Sequence, residues 1–80
     1  MSHMTLRQFI LRSEVLKLYR SMLRVTYKVD NAEQRIYLQK WIRTDFDNNK
    51  HHKDEVVIRM MVSKGKLSLH ELEQTVALAK

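Results

Sequence analysis

The sequence of 80 residues contains no cysteine, no proline and a single glycine, Gly65. The absence of cysteine excludes disulfide bonds, thiolate metal sites and cysteine nucleophiles. Proline and glycine are the residues that most often interrupt helices, so a chain almost free of both is predicted to be helical. No apolar run approaches the roughly 20 residues that a membrane-spanning helix requires.

Acidic residues are also in the minority. Fifteen lysines and arginines against nine aspartates and glutamates give a net charge of +6. A small basic domain favours an anionic partner, which could be a nucleic acid, an anionic membrane or an acidic protein. A chain of this length forms one domain with a modest core, so we expect low stability unless a partner adds apolar contact.

The sequence patterns of common catalytic sites are missing. There is no G-x-S-x-G, P-loop, H-E-x-x-H or glycine-rich phosphate loop. His51 and His52 are adjacent, but two imidazoles without a set of carboxylates or thiolates are more typical of a plain loop than of a metal site. We therefore expect no enzyme, no bound metal and no cofactor of its own.

The spacing of apolar residues predicts an all-α fold, a three-helix antiparallel bundle with short loops. The first helix is expected to begin at Thr5, which forms a capping box with Gln8, and its two adjacent apolar stripes cover roughly half of its circumference. The second helix is expected to follow a capping box formed by Asp30 and Glu33, and to end near Asn49. Residues 1–4 resemble a cloning remnant or a disordered N-terminus, so the domain is assigned to residues 5–80.

The third helix is expected to begin near Asp54, where an aspartate suits the positive end of the helix dipole. Two signals conflict further along. Gly65 followed by a capping box at residues 68–71 favours a stop and a restart, whereas the apolar phase continues through Gly65 unchanged. We favour one long helix, continuous or bent at Gly65, with a stop and a restart there as the alternative.

Basic residues of the first two helices fall on neighbouring flanks. Arg43 and Lys50 are two helical turns apart, and Arg12 lies one flank away from the apolar midline of the first helix. If the two helices are antiparallel neighbours, these cations form one basic patch beside an apolar opening; three separately solvated charges are the alternative. Asp45 lies on the apolar arc of the second helix, and a buried acid needs a partner, for which Arg20 is the candidate.

The order of these residues along the chain resembles the LYR-motif superfamily, also called the complex I LYR family. The tripeptide Leu18-Tyr19-Arg20 alone also fits an ordinary amphipathic helix, so it is the ordered set that is specific. The set comprises Arg12, Leu18, Tyr19, Arg20, Tyr37, Arg43, Phe46 and Lys50. The resemblance covers residues 6–80. Asp47 departs from the pattern, since relatives often carry a basic residue there.

This resemblance implies a mitochondrial adaptor that binds acylated acyl carrier protein and supports respiratory-chain assembly or activity, with complex I favoured and a link to iron–sulfur cluster biogenesis. Such proteins occur in the matrix or on the matrix side of the inner membrane, with peripheral membrane association as an option. By position, the cations expected to meet the acidic carrier protein are Arg12, Lys40, Arg43 and Lys50. The residues of the family signature are Leu18, Tyr19, Arg20 and Phe46. The acyl chain on the carrier's phosphopantetheine arm is expected to enter a tunnel lined by Leu16, Leu23, Leu38, Ile42, Met61 and Leu72.

A small basic nucleic-acid-binding domain is the alternative function. Against it, no helix carries a continuous basic face, because the cations alternate with acidic residues. A membrane-surface role is a further alternative, since the first helix places basic residues opposite an apolar arc. The matching apolar faces of the other two helices make a protein core the simpler use of that arc.

Overall fold

The computed structural model describes residues 4–78, and within them it consists of three helices. Helix α1 spans Leu6–Thr26, α2 spans Ala32–Asn49 and α3 spans Glu55–Leu78. Consecutive helices run antiparallel, so α1 and α3 run parallel. The predicted all-α, three-helix architecture is confirmed. Residues 1–3 of the predicted N-terminal remnant and residues 79–80 of the predicted domain lie outside the described residues.

The start of α1 is the predicted one. Thr5 is the N-cap, and its hydroxyl oxygen accepts a hydrogen bond from the Gln8 backbone N–H at 3.2 Å. The Gln8 side-chain oxygen accepts from the Thr5 backbone N–H at 3.0 Å. This reciprocal capping box satisfies two backbone donors that a free helix end would leave without partners.

The start of α2 differs from the predicted one by a single residue. Asn31, and not Asp30, is the N-cap, and its side-chain oxygen accepts from the Gln34 N–H at 3.0 Å. Asparagine and aspartate cap helices about equally well, so local preference does not distinguish the two positions. The guanidinium of Arg35 donates to the Val29 carbonyl at 2.9 Å and thereby joins the first turn of α2 to the preceding connection.

Helix α3 begins as expected and passes through Gly65 without the break considered above. The Asp54 carboxylate accepts from the Val56 N–H at 2.8 Å and caps the first turn. Gly65 does not adopt a positive φ. A Cβ atom at this position would overlap Cδ2 of Leu18 in α1. Gly65 therefore serves the close crossing of two helices, and not the end of one.

Among the three helices of residues 4–78, only α1 packs closely against both others. No Cα atom of α2 lies within 8 Å of a Cα atom of α3, whereas α1 approaches each of them that closely. The buried hydrophobic residues are Leu11, Leu18, Met22, Val25, Ile42, Val62 and Val76. Within residues 4–78, more large hydrophobic side chains are exposed than buried. The two outer helices thus form the sides of an open cleft with α1 as its floor.

Helix α2 covers only part of α1. The ring of Tyr19 contacts Phe46, and Thr26 at the end of α1 contacts Gln39. This antiparallel register brings the C-terminus of α2, at Asn49, level with the middle of α1. The first half of α1 therefore extends beyond α2 and packs against α3 alone.

The predicted pairing of Asp45 with Arg20 is wrong. Both side chains are exposed, and no ion pair joins them. The Asp45 side chain is exposed, so water solvates its carboxylate and it needs no buried partner.

Candidate functional site

The three residues of the Leu18-Tyr19-Arg20 tripeptide face three different directions, because each residue of a helix is rotated by about 100° from the one before. Leu18 is 7% exposed and packs against Gly65 of α3. The ring of Tyr19 lies 5.0 Å from the ring of Phe46 in α2, centroid to centroid, at an interplanar angle of 63°. Such edge-to-face pairs are favourable beyond the area that they bury. Arg20 is exposed. The tripeptide therefore joins α1 to both other helices and leaves one cation in solvent.

A buried polar contact joins α1 to α2 at the C-terminal end of α1. Thr26 is completely buried, and its hydroxyl donates to the Leu23 carbonyl at 2.5 Å. The same hydroxyl oxygen accepts from the Gln39 side-chain amide at 3.0 Å. The sequence-based reasoning missed both residues. The available signal was the position of Thr26 on the buried stripe, four residues after Met22, where a polar side chain needs a partner.

A groove of about 220 Å³ lies between α2 and α3. It exists because these two helices pack on α1 and not on each other. Its lining residues are Met22, Leu38, Trp41, Ile42, Ser68, Glu71, Leu72 and Thr75. The floor and the α2 side are apolar, whereas three of the four α3 residues are polar. The groove can accept an apolar chain along α2 and offers hydrogen-bonding groups along its α3 edge.

The structure brings together three of the six residues predicted to line an acyl-chain tunnel. Leu38, Ile42 and Leu72 share the groove between α2 and α3. Leu23 packs partly buried against the central core cluster, Leu16 is 42% exposed, and Met61 lies half-buried in the first third of α3. These three do not line the groove. The polar residues of its α3 edge were missed, because an apolar repeat cannot indicate them.

The predicted cations are all exposed and lie on the side of the molecule away from the groove. Arg43 follows Trp41 of the groove by two residues, about 200° around α2, so it points away from α3. Lys50 is one turn beyond Phe46, and Lys40 is one turn before Thr44 on the outer surface of α2. Arg12 precedes Tyr19 by two turns and lies on the same side of α1. We call these four residues, Arg12, Lys40, Arg43 and Lys50, the basic flank.

One acidic residue lies within the basic flank. The Asp47 carboxylate is 3.7 Å from the Lys50 ammonium, and both side chains are more than 70% exposed, at 73% and 76%. Within residues 4–78, the other three cations of the flank take part in no ion pair. Asp47 thus partly neutralises one cation of the four.

Within residues 4–78 there is no group of three or more histidine, cysteine, aspartate or glutamate residues placed to hold a metal ion. The rings of His51 and His52 lie 4.2 Å apart in the α2–α3 connection. None of the helices in this part of the chain combines the length and the apolarity needed to cross a bilayer.

The fold and the groove define a small all-α protein of three helices. More particularly, the chain belongs to the family described as Complex 1 protein (LYR family), whose sequence profile matches residues 13–71. It is 47% identical over 77 residues to LYR motif-containing protein 2 of Homo sapiens and to that of Rattus norvegicus, which covers 96% of this chain and 88% of each relative. Its identity to LYR motif-containing protein 2 of Xenopus laevis is 46% over the same coverage. The resemblance inferred from the ordered residue set is confirmed.

Proposed function

We propose that this chain is a mitochondrial adaptor that binds acylated acyl carrier protein and thereby supports the assembly or activity of a respiratory complex. Among the respiratory complexes, we favour complex I. The observation that carries the proposal is the open groove between α2 and α3. A three-helix domain that filled its own interior would close α2 on α3. Here Leu38, Trp41 and Leu72 line open space instead, so an apolar chain delivered from outside completes the core.

The free energy gained by burying an acyl chain in the groove is large relative to the stability of a small domain. Burying each methylene contributes about 0.8 kcal/mol, so ten methylenes contribute roughly 8 kcal/mol before the cost of binding and ordering is subtracted. The whole free energy of unfolding of a small domain is about 5–15 kcal/mol. An acyl chain in the groove would therefore contribute on the scale of the fold itself.

The basic flank provides the charge for the carrier protein. Its four exposed cations surround the outer face of α2 and the adjoining side of α1, and an acidic protein surface attracts them over several ångströms. Complementary charge of this kind accelerates association and fixes the orientation of the partner. The groove and the flank adjoin the same helix, α2, which would let one partner engage both.

The respiratory part of the proposal is supported by the family, whose description refers to complex 1. A chain of this family acting with complex I would be placed in the mitochondrial matrix or on the matrix side of the inner membrane. The link to iron–sulfur cluster biogenesis belongs to the same proposal and is supported by the family resemblance.

The charge contact is tested by the double variant Arg43→Glu/Lys50→Glu. We expect it to bind acyl carrier protein at least about tenfold more weakly, because two attractive contacts become repulsive. Affinity is measured by titration calorimetry at two salt concentrations, and folding by circular dichroism. The variant Lys17→Glu/Arg24→Glu carries the same charge change on the opposite side of α1 and should bind normally. Equal binding by both variants would contradict the role of the basic flank.

The acyl contact is tested by filling the groove with Ser68→Trp. The wild-type chain should bind acylated carrier protein more tightly than the carrier with a free phosphopantetheine thiol. We expect Ser68→Trp to remove this difference while retaining the charge-driven part of the affinity. Gln74→Trp, on the outer face of α3, adds the same side chain outside the groove and should leave the difference intact. A preference for the acylated carrier that survives Ser68→Trp would show that the acyl chain binds elsewhere.

A further inference from the structure

We infer that the crevice between α1 and α3, on the side away from α2, is a second docking surface, and that it accepts an acidic amphipathic helix of a protein other than the carrier protein. This surface lies beyond the end of α2, where the first half of α1 packs against α3 alone. It is separate from both the basic flank and the groove between α2 and α3.

The crevice has a volume of about 360 Å³. Its lining residues are Arg7, Ile10, Leu11, Glu14, Arg59, Val62, Ser63 and Lys66. The floor is apolar and buried, since Leu11 is 6% exposed and Val62 is 4% exposed. Three cations from two helices, Arg7, Arg59 and Lys66, border this floor.

Large apolar side chains flank the crevice on both sides. On α1 these are Leu6, 75% exposed, and Ile10, 49% exposed. On α3 they are Met60 and Leu67, each 67% exposed. Met60 and Leu67 point away from the core, because they lie two residues before Val62 and two residues after Gly65, which both face α1. The surface therefore has basic residues around a buried apolar floor and apolar residues along its two edges.

The dimensions and the charges favour a helix as the occupant. The lining residues span two turns of each helix, from Arg7 to Glu14 and from Arg59 to Lys66, which is about 10 Å. A concave strip of this length fits about two turns of a convex helix, whose acidic residues would meet the three cations that border the floor and whose apolar residues would cover the edges.

A polypeptide fits the charge pattern better than a uniformly negative surface does. Glu14 lies within the crevice, and the Glu55 carboxylate approaches Arg59 at 3.9 Å. These carboxylates would repel phosphates of a bilayer or a nucleic acid, whereas a protein helix can place a cation or an amide against them. A surface that combines cations with carboxylates in this way discriminates between different acidic proteins.

The second surface gives the molecule the geometry of a bridge. Arg7 and Arg12 are five residues apart, about 140° around α1, so the crevice and the basic flank open in different directions. A carrier protein on the flank would leave the crevice accessible. The two surfaces can then be occupied together, and each can be disabled without the other.

The experiment uses the full chain, free and in complex with acyl carrier protein, with isotopic labelling for amide NMR. The probe is a synthetic amphipathic peptide of about four helical turns with a glutamate ridge between leucines. We expect it to shift the amides of residues 7–14 and 59–66, and the charge-inverted lysine peptide to leave them unchanged. Arg7→Glu/Lys66→Glu should weaken the binding of the glutamate peptide about tenfold and retain the carrier protein. Arg43→Glu/Lys50→Glu should do the reverse.

The inference is overturned if the glutamate peptide binds at the basic flank, or equally well to the Arg7→Glu/Lys66→Glu variant. It is also overturned if vesicles of equimolar phosphatidylcholine and phosphatidylserine, or a DNA duplex, perturb the crevice while the peptide does not. Loss of carrier binding by the flank variant alone bears on the proposed function, whereas loss of peptide binding by the crevice variant bears on this surface. The two proposals therefore fail separately.

Discussion

At the scale of single residues, the contact of Leu18 with Gly65 sets how closely α1 and α3 approach. Glycine in the middle of a helix is less favourable than alanine by about 1 kcal/mol. The sequence nevertheless has glycine in the middle of α3, where the first residue of the tripeptide needs the space of the missing Cβ. Tertiary packing overrides helix propensity at this position.

Gly65→Ala is expected to lower the free energy of unfolding by about 1–3 kcal/mol, because the new methyl group overlaps the buried Leu18 side chain. In a Leu18→Val background, where the δ-methyl groups are absent, the same change should be neutral or stabilising by up to about 1 kcal/mol. Urea unfolding of the wild type, the two single variants and the double variant gives the coupling energy between Leu18 and Gly65 directly. The same effect of Gly65→Ala in both backgrounds would refute the crossing contact.

Asp47 is a second residue whose effect can be isolated. Its ion pair with Lys50 is exposed, so Asp47→Asn should change the free energy of unfolding by no more than about 0.5 kcal/mol. The same substitution should raise the affinity for acyl carrier protein about threefold, since a repulsive charge leaves the basic flank. The gain should shrink as salt increases. Asp45→Asn makes the same change of net charge away from the flank and serves as the control; an equal gain from it would indicate a general charge effect.

At the scale of the helices, α1 is joined to its two neighbours in different ways. Its contact with α2 combines an aromatic pair with the buried hydrogen bond between Thr26 and Gln39. Its contact with α3 is apolar and depends on the missing side chain at Gly65. The first half of α1 lacks α2 altogether, which is why its apolar residues remain exposed there.

Thr26→Val tests the hydrogen bond between α1 and α2. It keeps the shape of the buried side chain but removes the acceptor of the Gln39 amide, so we expect a loss of about 1–2 kcal/mol in the free energy of unfolding. Combining it with Gln39→Leu removes both partners and should recover part of that loss. Chemical unfolding of the single and double variants measures the coupling, and strictly additive losses would show that the contact contributes nothing.

At the scale of the whole molecule, the isolated chain is more open than a compact domain of its size. Its radius of gyration is 14.1 Å, against about 12 Å expected for this length. Its accessible surface is 6706 Å², against roughly 5,100 Å² expected for a compact monomer of this mass. The difference has a structural origin, because α2 and α3 leave a groove between them and α2 stops halfway along α1.

An open molecule of this kind should gain stability from the partner that fills it. With acylated carrier protein at about a hundredfold excess over Kd, we expect a gain of about 2.7 kcal/mol, which corresponds to a rise in Tm of roughly 10–20 °C. The carrier with a free thiol should give a smaller rise. Calorimetric melting of the chain alone and with each carrier form tests this. A chain that melts at a high temperature alone, with no further rise, would contradict the incomplete core.

The sequence by itself determined the three helices, because helix formation depends on neighbours three and four residues apart. The scarcity of proline and glycine, the capping box at Thr5 and the repeated apolar spacing were sufficient to place α1, α2 and α3. The direction of exposed cations such as Arg43 follows from helical phase alone once the buried face is known. The ordered signature of Leu18-Tyr19-Arg20 and Phe46 was likewise sufficient for the family.

The tertiary structure decided everything that depends on how far apart the helices lie. It left Asp45 in water and gave Gly65 a packing role instead of a break. It also brought Leu38 and Leu72 to one groove and left Leu16 outside it. A periodic pattern specifies which face of a helix is apolar, but a gap between two helices is set by side-chain volumes that meet across distant parts of the chain. Those volumes cannot be read from local spacing.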